Sequence, residues 1–256
     1  MLTIGTLYAH GYTRDQLDMI PSLGFSLRPE SATYAGAQSL RFIEFPNPPA
    51  LELIHVQDDL EYAGFIPPGM TPYCPGISIV VDPKSTRTFE DYRAAFGAWK
   101  PYELHVDGSG GNDPAKSGTN YLNFEIPLIE KTFIYLTQYP QRVPEAPAPV
   151  IHPNPAARVS GLVFDLPGRA LNPLFSLWGQ EQSGAGAALG GLNIYSEIQC
   201  PDELKRRKKP FPLAAVVVTT ASMPQPDRGR AVIDWLGRQA LLAEMNPLSW
   251  DIILTV

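Results

Sequence analysis

The sequence predicts an α+β fold of repeated βαβββ modules, in which curled mixed sheets form a paired-module barrel around a cavity and a third, C-terminal α/β module follows. Three observations carry this prediction. The order β-α-β-β-β can be read twice in succession before residue 140. Ten of the 27 prolines fall in two clusters, Pro67 to Pro75 and Pro140 to Pro155, and each cluster lies between two such units. Proline lacks a donor N–H and fixes φ, so both stretches read as extended connections. Finally, 44% hydrophobic against 18% charged residues is the balance of a chain that buries a core rather than a disordered one. The expected organisation is a first module over 1–66, a second over 76–140 paired with it, a proline-rich linker over 141–157, and a third module over 158–256.

Each element has a local reason. Leu2 to His10 is rich in apolar and β-branched residues and reads as a strand, and Thr13 caps a short helix that Gly24 ends. A short strand near Phe25 to Pro29 precedes Ser39 to Phe45 and Ala50 to Val56, two strands joined by the Pro46-Asn47-Pro48-Pro49 turn. The second unit repeats this order: strand Gly76 to Val81, helix Thr88 to Phe96 capped by Thr88 and broken by Gly97, then strands Tyr102 to Val106, Tyr121 to Ile126 and Thr132 to Tyr139. Half of such a sheet leaves an apolar face uncovered, so two copies are expected to complete one another. The third unit opens with strand Arg158 to Leu166 and a helix around Leu171 to Trp178, followed by strands Leu192 to Gln199 and Pro212 to Thr220. A stripe of Val232, Trp235, Leu236, Gln239 and Leu242 then predicts a helix over Asp227 to Met245, before a last strand, Trp250 to Val256. That order also fits a ferredoxin-like unit, and an odd, unpaired module favours a homodimer.

Composition narrows the function. A formal charge of −6 gives no general attraction to phosphate backbones, so nucleic acid is not an expected partner. The one basic run, Lys205 to Lys209, reads as a solvated loop. Two cysteines, Cys74 and Cys200, make neither a disulfide framework nor a metal-site spacing, and together with the absence of a signal-like start or a membrane-length apolar run they point to a cytoplasmic protein away from membranes. Gly108 to Pro114 does not open a helix and Ser183 to Gly191 lacks a following Lys-Ser/Thr, so neither is a nucleotide cradle. There is no Gly-x-Ser-x-Gly elbow either.

Ile4-Gly5-Thr6-Leu7-Tyr8-Ala9-His10, the helix ending Leu23-Gly24-Phe25, the strand Ala50-Leu51-Glu52-Leu53-Ile54 and the turn His152-Pro153-Asn154 together resemble the vicinal-oxygen-chelate superfamily, in its glyoxalase-like group. Glyoxalase I, extradiol dioxygenases and bleomycin-resistance proteins are relatives of that group. The resemblance implies paired βαβββ modules around a cavity. It also implies, for metal-dependent members, a His on the first strand and a Glu on the last strand of each module. Here Thr6 falls at the first histidine position and Glu52 at the glutamate position. The second module offers Gly76 or Ser78 and Thr137, and the third Gly161 and Val217. One retained ligand does not make a catalytic metal site. No cofactor is therefore expected, and a divalent metal would find only Glu52.

Period-two alternation places Thr6, Tyr8 and His10 on one face of the first strand, with His10 roughly 13 Å along the strand from the Thr6 position. The leading expectation is a metal-independent lyase, isomerase or cyclase acting on a small carbonyl or phenolic metabolite in the barrel cavity. Glu52 would be the general base, its pKa raised by desolvation, His10 a second acid–base group, and Tyr8 a donor to oxyanion charge. Thr6, Arg41, Phe42, Ser78, His105, Phe124, Tyr135 and Thr137 would line the substrate site. Blander readings stand beside these roles: Glu52 satisfied by Arg41 or by backbone donors, His10 as a hydrogen-bonded structural group, and the aromatics as core packing. His55 should lie on the face away from Glu52, and His152 reads as structural. A binding protein that sequesters a small molecule, with Tyr8, Phe42, Phe124 and Tyr135 stacking on it, is the alternative, and a metal-dependent isomerase or dioxygenase with displaced ligands comes last.

Overall fold

The computed structural model describes residues 2–30, 38–56, 74–106, 119–139, 151–154, 156–180, 187–226, 230–245 and 249–256. The first sheet is built from β1 (Leu2–His10), β2 (Gln38–Ile43), β3 (Ala50–Val56), β4 (Gly76–Val81), β5 (Pro101–Val106), β6 (Thr119–Phe124) and β7 (Phe133–Gln138), in the spatial order β2-β3-β1-β4-β7-β6-β5. The second uses β8 (Arg158–Phe164), β9 (Ala187–Leu189), β10 (Leu192–Tyr195), β11 (Leu213–Thr219), β12 (Arg230–Trp235), β13 (Arg238–Ala243) and β14 (Asp251–Thr255), in the order β12-β13-β14-β11-β8-β10-β9. Both sheets follow one plan. Two first strands pair antiparallel at the centre, β1 with β4 and β8 with β11, and each has the last strand of its own unit parallel on its other side. Neither sheet closes into a barrel.

Among the described residues, four short helices cross between strands: α1 (Arg14–Met19), α2 (Phe89–Ala95), α3 (Asn172–Leu177) and α4 (Asp202–Arg207). The first two begin on capping boxes. Thr13 accepts from the Gln16 N–H while the Gln16 side chain accepts from the Thr13 N–H, and Thr88 and Asp91 do the same for α2. A 3-10 turn, Ile20–Leu23, continues α1 to Gly24, whose φ of 85° stops it. No helix among the described residues is long and apolar enough to cross a membrane.

Strand alternation gives each sheet two unlike faces. Leu7, Leu51, Leu53, Ile77, Ile79 and Leu136 from the first sheet join Leu162, Val216, Ile252 and Leu254 from the second in one buried cluster, together with Tyr92 and Phe96 from the α2 region and Leu174 and Phe175 of α3. Polar links cross between the sheets. The indoles of Trp178 and Trp250 donate to the carbonyls of Leu2 (3.1 Å) and Tyr8 (3.4 Å). The Asn154 side chain accepts from the Ala221 N–H (3.0 Å) and donates to the Ser222 carbonyl (3.1 Å), while its own N–H reaches Gly24. The other face of the second sheet forms a separate cluster around Val163, Val217, Leu242, Ile253 and Trp235, capped by Leu204 of α4.

Several expectations change. Residues 230–245 are not helical: β12 and β13 form a hairpin, with Arg230 opposite Ala243 and Trp235 opposite Arg238. Leu236 (φ 55°) and Gly237 (φ 73°) make its two-residue turn, the all-positive pair that a type I′ turn requires. Asp227, the expected cap, lies outside the described residues, as do 67–73 of the first proline cluster, 141–150 of the linker, and Gly108 to Pro114. Phe25 to Pro29 is not a strand, although the Arg28 N–H donates to the Phe42 carbonyl (2.8 Å). The region from 158 onward is neither ferredoxin-like nor half of a sheet. Its β8 and β11 supply each other's partner, which removes the argument that an odd module needs a second copy.

The basic run is not simply solvated. Lys205 to Arg207 end α4, Arg207 reaches Asp251 (2.7 Å), and the Lys209 side chain, only 6% exposed, meets the wholly buried Asp251 carboxylate at 2.6 Å. Asp251 also accepts from the Met245 N–H (3.0 Å). Lys209→Met removes a charged hydrogen bond but leaves Arg207 on Asp251, so it is expected to cost about 2 kcal/mol in urea unfolding. In the hairpin turn, Leu236→Asn places a residue that tolerates positive φ and is expected to raise stability by about 1 kcal/mol, read as a higher urea midpoint at unchanged slope.

Candidate active site on the first sheet

Gly5 interrupts the pairing of β1 with β4 between Ile4 and Thr6. Beyond that bulge, strand alternation brings Thr6, Tyr8 and His10 to the face away from the inter-sheet core. Register then decides their neighbours. On one side Tyr8 stands opposite Glu52 of β3 and His10 opposite Ile54; on the other, Thr6 stands opposite Ser78 and Tyr8 opposite Gly76 of β4. Glu52 is therefore level with Tyr8 and a single same-face step from His10. The next strands extend the face, because Ser78 pairs with Tyr135, Tyr135 with Asn123, and Glu52 with Phe42.

The Tyr8 ring lies over Gly76, and a methyl group there would fall inside the ring. That close approach accounts for a glycine at position 76. Tyr8 contacts Phe133 (6.2 Å between centroids) and Tyr135 (5.8 Å), and Tyr135 meets Tyr121 edge-on (5.6 Å). Beneath the rings, Ser78 Oγ and Thr137 Oγ1 share a 2.8 Å hydrogen bond and are both buried. Desolvation, followed by the negative charge of Glu52, pushes the Tyr135 phenol well above its usual pKa, and Ser78 hydrogen-bonds it. The same two causes raise Tyr139. Glu52, Phe42, Thr6 and Tyr135 are half-buried, so this face is partly open to solvent.

His10 is 4% exposed, and its Nδ1–H donates to the Cys74 carbonyl at 3.1 Å. Burial lowers its pKa to about 4, so the ring is neutral at pH 7 and packs edge-on against Tyr8 (5.3 Å). Three expected lining residues do not join the face. Arg41 is opposite Leu53, on the core-side face, and pairs with Glu30 (3.2 Å). Phe124 packs against Phe96 in the core (6.2 Å). His105 is exposed and opposite Asn120, whose side chain accepts from its Nδ1–H (2.6 Å). His55 does lie on the other face and donates to the Tyr12 carbonyl (2.7 Å). His152 accepts from the Ser26 N–H (3.0 Å) and donates to the Glu44 carbonyl (2.6 Å), which holds the linker against the first module. Phe133, Tyr121 and Tyr139 were missed, although alternation from Tyr135 reaches both Phe133 and Tyr139.

Among the described residues, no group of three or more His, Cys, Asp or Glu side chains stands where it could hold a metal ion. The oxygens gathered near Tyr135 come from one carboxylate and neutral hydroxyls, and His10 donates its Nδ1–H to a carbonyl. The corresponding face of the second sheet is filled instead. Gly161 leaves room for the Tyr195 ring, 2.8 Å from where its Cβ would be, and Tyr195 packs edge-on against Trp235 (4.9 Å).

The buried neutral histidine gives a pH signature. The unfolded chain takes up a proton on His10 near pH 6.5 while the folded chain resists until about pH 4, so stability present above pH 6.5 is lost as the pH falls through this window. The expected loss is about 3 kcal/mol. His10→Asn, whose amide can still donate to the Cys74 carbonyl, should flatten the slope of urea-unfolding free energy between pH 6.5 and 4.

No protein-family model matches the sequence, and no curated protein matches it. Solved structures do. A halotolerant catechol dioxygenase aligns over 99% of this chain and 86% of its own at 9% identity, with a TM-score of 0.53. A catechol 2,3-dioxygenase aligns over 98% and 86% at 10% identity (TM-score 0.52), and 2,2',3-trihydroxybiphenyl 1,2-dioxygenase from Sphingomonas wittichii strain RW1 over 98% and 89% at 11% identity (TM-score 0.50). At such identities the likeness speaks for the fold alone. With the paired mixed sheets described above, it shows that this chain has the fold of the vicinal-oxygen-chelate superfamily.

Proposed function

We propose that the Tyr8 face of the first sheet is an active site that moves a proton on a small carbonyl or phenolic metabolite without a metal ion, as a lyase, isomerase or cyclase. The observation that carries this reading is the placement of Glu52 level with Tyr8, its charge acting on the Tyr135 phenol beside the Ser78–Thr137 pair. The Glu52 carboxylate takes a proton from the carbon beside the substrate carbonyl, and the electron pair moves onto the carbonyl oxygen. Tyr135 stays protonated because its pKa is raised, so it can donate a hydrogen bond to that developing oxyanion. Collapse of the enolate returns the proton from Glu52 to a different carbon in an isomerase, or expels a leaving group in a lyase. Phe42 and the Tyr8 ring would hold the substrate by stacking. His10 leaves the acid–base role expected for it and becomes a positioning group, since a neutral ring donating to the Cys74 carbonyl is not a proton source at pH 7.

The alternative, a binding protein without turnover, draws on the same ring contacts. Proton NMR in D2O on a panel of small α-hydroxy ketones and phenols separates the two. Deuterium wash-in at the carbon beside the carbonyl is expected with the wild type and should fall by about 10²-fold or more in Glu52→Gln, with ligand affinity little changed. An unchanged wash-in rate would remove Glu52 from the mechanism. Binding by the wild type without any wash-in would favour sequestration.

A further inference from the structure

We propose that Ser78 and Thr137 are positioning residues of this face, forming with Tyr135 a one-way chain of hydroxyls that leaves the phenol hydrogen turned toward the oxygen of the substrate. This inference rests on the assignment of the Tyr8 face as the active site and goes on to name the groups that aim its oxyanion donor. The strands set the chain. β4 and β7 run parallel with Ser78 opposite Tyr135, and Thr137 follows two residues on along β7, so alternation puts its side chain on the same face. Ser78 Oγ and Thr137 Oγ1 are 2.8 Å apart, and the two residues are only 3% and 0% exposed. Ser78 also hydrogen-bonds the Tyr135 phenol.

Counting donors fixes the direction. A hydroxyl carries one hydrogen, and a buried hydrogen with no acceptor is costly. Among the described residues, Ser78 Oγ is the one hydrogen-bond partner of Thr137 Oγ1. If Ser78 donated to Thr137, the Thr137 hydrogen would be buried with nothing to receive it. Thr137 therefore donates to Ser78. The Ser78 hydrogen then goes to its other partner, the Tyr135 oxygen, and such a donation favours the phenolate, which is the sense in which Ser78 acts on this group. With its oxygen accepting from Ser78, Tyr135 does not turn its own hydrogen inward. The hydrogen points instead to the partly open side of the face, where Tyr135 is half-buried.

A phenol already turned toward the developing charge needs no reorganisation at the moment of reaction. Each O–H whose oxygen accepts a hydrogen bond is also polarised into a better donor. As the substrate oxygen gains charge, the Tyr135 oxygen takes a share of it, and the Ser78 bond tightens at the same step. No proton leaves the chain: Tyr135, Ser78 and Thr137 each keep their own, and the proton that moves is the one Glu52 takes from carbon.

Fluorotyrosine placed at position 135 by stop-codon suppression tests the chain without any substrate, by fluorine NMR, since its lower intrinsic pKa brings the phenol titration into the range where the protein is folded. Ser78→Ala removes a donor to the phenolate, so the titration is expected to move to higher pH. Thr137→Val should move it the same way by less, and Thr137→Ser, which keeps the hydroxyl, should restore it. A chain running from Tyr135 to Ser78 would lose a bond to the neutral phenol and titrate at lower pH instead. A shift to lower pH in Ser78→Ala, or none, would overturn the proposal. If a melting curve shows Ser78→Ala unfolded, the two Thr137 variants carry the same test. With tyrosine at 135, the deuterium wash-in kcat should fall about tenfold in Ser78→Ala at unchanged KM, and a loss confined to KM would also count against the chain. The two readings fail separately. Wash-in by the wild type with an unshifted titration in the variants would sink only the hydroxyl chain, and the expected titration shifts without wash-in on any substrate would sink only the proton-transfer chemistry.

Discussion

The antiparallel pairing of β1 with β4, and of β8 with β11, is the constraint on which the rest of this structure depends. A first strand with one parallel neighbour and a short antiparallel extension is half of a sheet. It cannot cover its own apolar face or satisfy its free edge. Joining two halves through their first strands completes the ladder and sets one core-facing surface of each sheet against that of the other. The candidate site therefore sits astride a seam, with Thr6 facing Ser78 and Tyr8 lying over Gly76 across two units distant in sequence. Anything that shifts this register moves a tyrosine, a serine and the bulge at Gly5 together.

The two sheets use one plan differently. On the first, the face away from the core keeps hydroxyls, a carboxylate and half-exposed rings. On the second, the equivalent face is closed by Trp235, Tyr195 and Leu204 into a cluster of its own. Both need a glycine beneath an aromatic ring, Gly76 under Tyr8 and Gly161 beside Tyr195. That shared device makes the contrast informative. Shape alone does not make a site; the difference lies in whether the space above the glycine is backed by polar groups or by apolar packing.

Strands rich in β-branched residues were legible from the sequence: β1, β3 and β4 run over the residues that alternation and punctuation assign to them. The capping threonines marked α1 and α2 equally well. The helix expected over 227–245 failed for a physical reason. Ile233 and Trp235 are buried on one strand, Ala240 and Leu242 on the next, and the two-residue turn between them resets the phase, so that a hairpin counterfeits a helical stripe. Gly237 in the middle of that stripe was the signal against it. For the site, alternation found Tyr8, His10 and Glu52, but it also forbids the neighbours Arg41 and Phe42 from sharing a face. Arg41 belongs to the core side, and Phe124 belongs there because Phe96 packs against it. Which of two alternating sets faces the core is a tertiary fact that β5 and β6, with mixed residues on both faces, do not betray.

The Trp250 indole donates to the carbonyl of Tyr8, a hydrogen bond that spans 242 positions of sequence. Chains leave the ribosome N-terminus first at about 5 to 20 residues per second, so β1 exists for many seconds before this donor is made. The first sheet can pair β1 with β3 and β4 in that interval, and the Trp250 donor is added to the Tyr8 strand only once the second sheet has been made.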